Sequence, residues 1–443
     1  MRTLFLIAVA LVTWTSAQTI AGEAARGSGT ETVSVLQRIA QLNKTEIMAV
    51  LMGVMEADKA DDLLILFKYG DSTASAGILG KLGAGNRARL EAQIRELEPA
   101  DSIRQAAAEQ AIRSLLQPPA LDIYRAWALQ QSGDNRAAAE KYEQAFQAGG
   151  GNRDHYYNAA CAWARAGDRD AAFRNLQKSF DAGLLLAKEL QEDPDLDTLH
   201  SDARWSQLIG SMETKVAGLL SVLPDTHQVR AVVKLPAPIQ DGPMSVEKAL
   251  AGRRSVREYA DAPLTLQQVA QVLWAAYGIT QPIPKGPSSV RGGLRTAPSA
   301  GALYPLDIYL VAGNVTDLKP GIYKYRSETH ELLLIVEGDK RPELYEASAS
   351  QPWVKKAPAS LVYSAIYART AGKYGNRGRE RYVCMDAGHS AENVYLECTA
   401  LGLGTCALGA FLDANVRLVV NMTKPEEPVY IMPVGKQKER REK

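Results

Sequence analysis

Apolar residues near the start of the chain fall in steps of three and four. The segments VSVLQRIAQL (Val33–Leu42), EIMAVLMGVM (Glu46–Met55), DDLLILFKYG (Asp61–Gly70) and a last one ending in IRSLL (Ile112–Leu116) share that spacing, with Gly or Asp between them. A period of 3.6 gathers such positions on one stripe of a helix, so residues 18–118 read as a helical region used for packing or docking. Further along, the period shortens. Beyond Pro224, Pro236, Pro238 and Pro243, the runs LDIYLVA (Leu306–Ala312), GIYKY (Gly321–Tyr325), ELLLIV (Glu331–Val336), SLVYSAI (Ser360–Ile366) and PVYIMPV (Pro428–Val434) predict strands. Helices interleave with them. Ser245 can cap one reaching Leu250, and Thr265 with Gln268 forms a capping box for another whose inner face is Val269, Val272, Leu273 and Ala276, ending at Gly278. A long apolar one follows, DAGHSAENVYLECTALGLG (Asp386–Gly404). Without regular βαβ spacing, the expected fold is α+β around a mainly antiparallel sheet. The chain thus divides into an all-α N-terminal half, a linker over 217–243, an α+β domain over 244–438 and a charged tail over 439–443.

Between the helical region and the linker the sequence repeats itself. At an offset of 34, Gly133-Asp134 matches Gly167-Asp168, Ala137-Ala138 matches Ala171-Ala172, Phe146 matches Phe180, and Ala148-Gly149 matches Ala182-Gly183. Period and small-residue placement resemble tetratricopeptide repeats over residues 119–216, with DPDLDTLHSDARWSQLI (Asp193–Ile209) as a degenerate closing segment. That resemblance implies a protein or peptide partner; with so few units, packing against the rest of the chain is the alternative.

Charge and composition then narrow the partners. Fifty-one basic residues against fifty acidic ones leave a formal charge of +1, so no broad field draws a polyanion, and nucleic acid is not an expected partner. The first 17 residues carry Arg2, an apolar run from Leu4 to Trp14 and the small triplet Thr15-Ser16-Ala17. This is the anatomy of a signal peptide cleaved after Ala17, placing the mature protein in the periplasm or outside the cell; an uncleaved membrane anchor is the alternative. Cys161, Cys384, Cys398 and Cys406 form no CxxC pair and have no His spaced for zinc, so no metal is expected. They read as small buried apolar groups, with a disulfide open in an oxidising compartment.

Three stretches carry candidate chemistry. In RRSVREY (Arg253–Tyr259) an extended backbone would put Arg253, Ser255 and Arg257 on one side, a fork of guanidinium groups suited to a phosphate. TAPSAGALYPLDIY (Thr296–Tyr309) sets small residues just ahead of a strand, where a flat ligand can approach the backbone. GLGTCALGAF (Gly402–Phe411) is a second glycine-rich turn, following the long helix.

With PGIYKY (Pro320–Tyr325), KYGNRGRERY (Lys373–Tyr382) and PVGK (Pro433–Lys436), these stretches resemble the nitroreductase superfamily of FMN enzymes over Met244–Gln437, most closely its SagB-type azoline dehydrogenase branch. The resemblance implies a flavoprotein, commonly a homodimer with FMN at the interface, acting on a small-molecule or peptide substrate. It assigns Arg253, Ser255, Arg257 and Lys436 to the cofactor phosphate and ribityl chain, Pro298, Ser299, Ala300 and Gly301 to the ring, and Leu408 and Gly409 to its other side, where a backbone N–H approaches N5. Arg254 should face away and pair with an acid. Many nitroreductases carry Asn where Ala302 stands; the SagB-like branch shares the substitution, which argues against simple nitro reduction. By the same resemblance Lys373 and Tyr374 are the acid–base pair, Lys373 tuned by desolvation beside the flavin. The same triplet recurs at Lys68–Gly70, so context rather than the motif supports it. His389, the only His of the long helix, reads as a packing residue. The expected function is an exported FMN-dependent oxidoreductase; an NAD(P)H-dependent quinone or nitro reductase and a non-catalytic repeat scaffold are the alternatives.

Overall fold

The computed structural model describes residues 34–283, apart from 45, 48–49, 52–53, 55–59 and 98, and residues 290–438. The expected signal peptide and charged tail lie outside the described residues. The chain divides into two compact units, Met1–Lys215 and Val216–Lys443.

The first unit is helical. Helices α1 (Val35–Ala40), α2 (Ala60–Tyr69), α3 (Ser72–Lys81), α4 (Ala84–Glu96) and α5 (Ser102–Leu115) share a core of Leu36, Ile39, Ile65, Ile78 and Ile112. Ser34 and Gln37 close a capping box on α1, and the Asp71 carboxylate accepts from the N–H groups of Thr73 and Ala74 to start α3. Next come α6 (Ala120–Gln131), α7 (Asn135–Gln147), α8 (Arg153–Ala166) and α9 (Arg169–Asp181). Here the 34-residue sequence period is also a period in backbone geometry. Gly133 and Gly167 have φ of +88° and +84°, and the Asp that follows each accepts from an N–H three residues on, Ala137 or Ala171. A left-handed glycine stops one helix and the aspartate starts the next, so the pair of letters sets the hairpin. Helix α10 (Ala187–Glu192), a 3-10 turn at Pro194–Leu199 and α11 (Ala203–Ser221) close the array by adding Leu190, Leu196, Leu199, Trp205 and Met212 to the core of α8 and α9.

The second unit is α+β, as its residue pattern predicts. Strands β1 (Ala231–Lys234), β4 (Leu306–Ala312), β5 (Gly321–Arg326), β6 (Glu331–Glu337), β7 (Ala359–Ala365), β8 (Leu403–Thr405) and β9 (Glu427–Lys436) form one sheet in the order β1-β6-β5-β4-β7-β9-β8, every pairing antiparallel. A small separate pair is made by β2 (Ile279–Pro282) and β3 (Gly293–Arg295). Central strands β4 and β7 are buried along their whole length, which is why they read as unbroken apolar runs. Alternation then assigns the faces. Leu306, Ile308 and Leu310 of β4 pack with α13 (Leu266–Tyr277) and α17 (Val383–Ala400), whereas Tyr309 and Val311 point the other way, into a core with α14 (Arg341–Ala347) and α18 (Asp413–Val420). Shorter helices α12 (Val246–Gly252), α15 (Pro352–Lys356) and α16 (Ala368–Tyr374) lie at the connections.

Three readings change. Residues 217–243 are no simple linker: α11 runs on to Ser221, and β1 at Ala231–Lys234 pairs with β6. Its apolar letters are too few and too exposed to signal a strand, because an edge strand needs backbone partners more than a buried face. Cys384 is exposed, while Cys161, Cys398 and Cys406 are buried. His389 is exposed as well, on the open side of α17, and acts electrostatically on Asp386.

Candidate active site

Helix α12, capped by the Ser245 hydroxyl on the Lys248 N–H, ends at Gly252 and releases Arg253–Tyr259 across the end of the sheet. Ser255 bridges Thr405 of β8; the Val256 N–H donates to the Thr405 carbonyl at 2.8 Å, and the Ala260 N–H donates to the Lys436 carbonyl at 3.0 Å. Since β8 and β9 pair Leu403 with Lys436 and Thr405 with Val434, register alone gathers Arg253, Ser255, Arg257 and Lys436 at one sheet end. Two glycines permit the approach: a Cβ on Gly404 would lie 2.5 Å from Val256, and one on Gly435 would lie 2.8 Å from the Tyr259 ring. Ser255 and Arg257 are exposed. The Arg253 Nε stands 3.7 Å from Glu392, its guanidinium lies 5.2 Å from the Tyr395 ring centre, and the Arg257 guanidinium is 5.5 Å from that of Trp353. Tyr395 of α17 ties two of the predicted stretches together, its hydroxyl 3.2 Å from Ser255 Oγ while accepting from the Ala407 N–H at 2.8 Å. Arg254 turns away, but not to an acid: it donates to the carbonyls of Ala251 and Arg253.

The second stretch is a strained loop. Gly301, Ala302 and Tyr304 have φ of +64°, +53° and +46°, and a left-handed backbone on two side-chain-bearing residues persists only where neighbours impose it. Ala302 adopts a conformation that Asn tolerates better than Ala does. Several groups pin the loop. Ser299 Oγ donates to Asp386 at 2.5 Å and accepts from the Tyr304 N–H at 2.9 Å; the Ala300 N–H donates to the second Asp386 oxygen at 3.2 Å. Arg291 donates to the carbonyls of Tyr304 and Leu306, and Arg369 to that of Pro305.

Lys373 and Tyr374, at the end of α16, reach this loop. A Cβ built on Gly301 would stand 2.6 Å from the Tyr374 hydroxyl and 3.1 Å from Lys373 Nζ, so the glycine is the space that admits both. The Tyr374 ring is held edge-on to Tyr382, with centres 5.0 Å apart, by a π-helical turn at Gly378–Tyr382. Lys373 is exposed, so this chain alone does not supply the desolvation expected for it. On the third stretch, Leu408 is buried and exchanges both backbone hydrogen bonds with Ile431, at 2.8 and 3.0 Å. Its N–H is therefore spent. The amide left to meet a ligand is that of Gly409, which is exposed and whose absent side chain would touch only Tyr430, at 3.9 Å.

Sequence reasoning missed what stands behind the loop. Asp307 and Glu426 are buried carboxylates. Asp307 meets Arg291 at 2.5 Å and Lys324 and Arg369 at 3.2 Å each; Glu426 accepts from Lys324 at 2.9 Å, Tyr309 at 2.7 Å, Ser364 at 2.8 Å and the Thr423 hydroxyl at 2.6 Å. Burial alone would raise both carboxyls; against it, Arg291, Lys324 and Arg369 hold Asp307 well below the usual carboxylate range, and Lys324 with the Thr423 and Tyr309 hydrogen bonds lowers Glu426. Asp386 differs. Burial pushes its carboxyl up, against the opposing pull of Ser299 and Ala300. Asp307 could have been noticed as an acid inside an apolar strand run; nothing in the local sequence marks Glu426.

The sequence profile of the nitroreductase family matches residues 250–436. A provisionally named nitroreductase of Methanocaldococcus jannaschii is 42% identical over 193 residues, which is 44% of this chain and 91% of that protein. The trifolitoxin-processing protein TfxB of Rhizobium leguminosarum bv. trifolii is 27% identical over 113 residues, 25% of this chain and 30% of TfxB. The NAD(P)H FMN reductase of Bacillus subtilis is 21% identical over 201 residues, 43% of this chain and 63% of that enzyme. With the glycine-rich loops and the ordered motifs falling inside residues 250–436, and with 91% of the archaeal protein covered at 42% identity, the chain belongs, through its C-terminal half, to the nitroreductase family of oxidoreductases.

Proposed function

We propose that this protein is an FMN-dependent oxidoreductase of the SagB-like dehydrogenase branch, exported, and carrying tetratricopeptide-like helices that dock a protein or peptide. The observation that carries the reading is the convergence of Lys373 Nζ and the Tyr374 hydroxyl on Gly301, a loop glycine whose Cβ would occupy their space. Further support comes from the names of two relatives, one a reductase of FMN and one a peptide-toxin processing protein. Export rests on the N-terminal sequence, and a homodimer on the resemblance.

The donor set fits a flavin mononucleotide. Arg253, Arg257 and Lys436 offer fixed positive charge at one end and Ser255 a hydroxyl, which suits a phosphate monoester. Pro298–Gly301 offer a side-chain-poor surface for a flat ring, and Gly409 an unspent N–H. Bound there, FMN would supply the hydride-accepting or hydride-donating centre. The chain's own part is orientation and proton handling. A substrate seated on the Gly301 loop would have both Lys373 and Tyr374 within reach, one to take or give the proton that accompanies hydride movement and the other to orient it. Ala302 gives no amide to the ring, so the site lacks a side-chain contact common in nitro-reducing relatives.

The test is the visible spectrum of the purified full chain, with any released chromophore identified by chromatography, beside the Arg253→Ala/Arg257→Ala variant. A yellow protein releasing FMN near one per chain, and a colourless variant, support the reading. A wild type that stays colourless after incubation with FMN overturns it and leaves a repeat scaffold; a variant that keeps its flavin overturns the phosphate assignment.

A further inference from the structure

Ser299 and Ala300 are assigned to the ring-facing surface, yet the Ser299 hydroxyl and the Ala300 N–H are already spoken for. The order of donors is fixed: the Tyr304 N–H gives to Ser299 Oγ, Ser299 gives its own proton to Asp386 Oδ2, and the Ala300 N–H gives to Asp386 Oδ1. A carboxylate accepts only, so it orients both donors away from the loop's open side. Asp386 is 2% exposed and sits in the first turn of α17, a helix anchored by Val383, Ala387, Val394 and Cys398 in the main core. The bracing is needed because Gly301, Ala302 and Tyr304 are all left-handed. Without an external hold, Ala302 and Tyr304 would relax toward ordinary backbone and carry Gly301 away from Lys373 and Tyr374.

We infer that Asp386 is a positioning residue of the cofactor site, whose buried carboxylate clamps Ser299 and Ala300 so that the Pro298–Gly301 surface is set against Lys373 and Tyr374. The inference rests on the flavin reading above. It gives Ser299 a role different from ring contact: its hydroxyl is a link in the clamp. It also places a buried acidic group behind the ring surface, where a negative charge opposes accumulation of charge on a reduced flavin.

Asp386→Asn keeps the shape but reverses one donor. The amide oxygen can still accept from Ala300, while the amide NH2 now faces Ser299 Oγ and releases the hydroxyl proton. Asp386→Ala removes both links, and Ser299→Ala removes one from the loop side without touching α17. FMN is titrated into the full-length apoproteins, and the flavin midpoint potential is measured on the loaded forms. Expected are a loss of FMN affinity of at least tenfold for Asp386→Ala, a smaller loss for Asp386→Asn and Ser299→Ala, and a positive shift of potential in Asp386→Asn that Ser299→Ala does not share. That split separates a charged clamp from a merely structural contact. If the wild type binds FMN and all three variants match it in affinity and potential, the inference is overturned alone. If the wild type takes up no FMN, the flavin reading falls and this inference with it. Should the Asp386 variants not fold, Ser299→Ala decides: unchanged FMN affinity overturns the clamp.

Discussion

Two groups of charges in the same unit, one buried and one open, use the same residue types to opposite ends. Asp307 and Glu426, closed off from water, take their cations from Arg291, Lys324 and Arg369, so that strands β4 and β5 and the connections beside them share one cluster. Arg253, Ser255 and Arg257 stand at the sheet end with one long contact to Glu392 and two aromatic faces for company. The difference is one of compensation. A partly covered cation that already has its buried carboxylate holds a backbone in place; an exposed cation beside an aromatic ring is steered but not neutralised. One cluster builds the loop, and the other is free to bind.

The largest effect expected from breaking this contrast is in Glu426→Ala. It strips a fully buried acceptor from Lys324, Tyr309, Ser364 and Thr423, and removing one partner of a buried pair costs about 3–5 kcal/mol. Urea unfolding of the full chain checks it, and a loss below about 1 kcal/mol would mean that the cluster is wet or redundant. Acid should act next. Because Asp307 and Glu426 are held below their unfolded values, the unfolded chain takes up protons first as pH falls. Their stabilisation is complete above the ordinary carboxylate range, near pH 4, and is lost as pH drops through and below it. Asp386, raised by burial, works in the reverse sense and partly offsets the fall. The histidines act earlier: burial holds His155, down at about 4, and His227 and His330 below their ordinary value, so the unfolded chain protonates them first. The melting temperature should therefore start to fall below about pH 6.5 and fall further below about pH 4; a flat profile down to about pH 3 would sink the account. The smallest effect belongs to the open cluster. Arg253→Ala/Arg257→Ala should change stability by no more than about 0.5 kcal/mol, and a larger loss in thermal melting would show that these arginines support the fold.

What the sequence displays follows the same division. RRSVR, PSAG and GLGT are legible because their signals are local: like charges on either side of a serine, small residues before a strand, glycines after a helix. The strands β4, β5, β6, β7 and β9 are legible as apolar runs. Asp307 and Glu426, 119 positions apart, meet only through the β4–β7–β9 register, and a pattern confined to short windows does not contain that register. Asp386 reads as the polar start of a helix, and its tie to Ser299 spans 87 residues. Leu408 carries a further example: its glycine-rich setting is plain in the sequence, while the bond that occupies its N–H depends on pairing with Ile431.

The strand β1 has a practical consequence for anyone isolating the catalytic half. The family match begins at residue 250, but β1 covers the edge of β6 through Ala231–Leu334 and Lys234–Glu331, and Lys424 donates its N–H to the carbonyl of Pro224. A polypeptide trimmed to the family limits would bare a row of unpaired amides beside Leu332 and Leu334, a ready template for edge-to-edge self-association. Trimming should stop ahead of Pro224; a cut that removes Ala231–Lys234 leaves the β6 edge open to self-association.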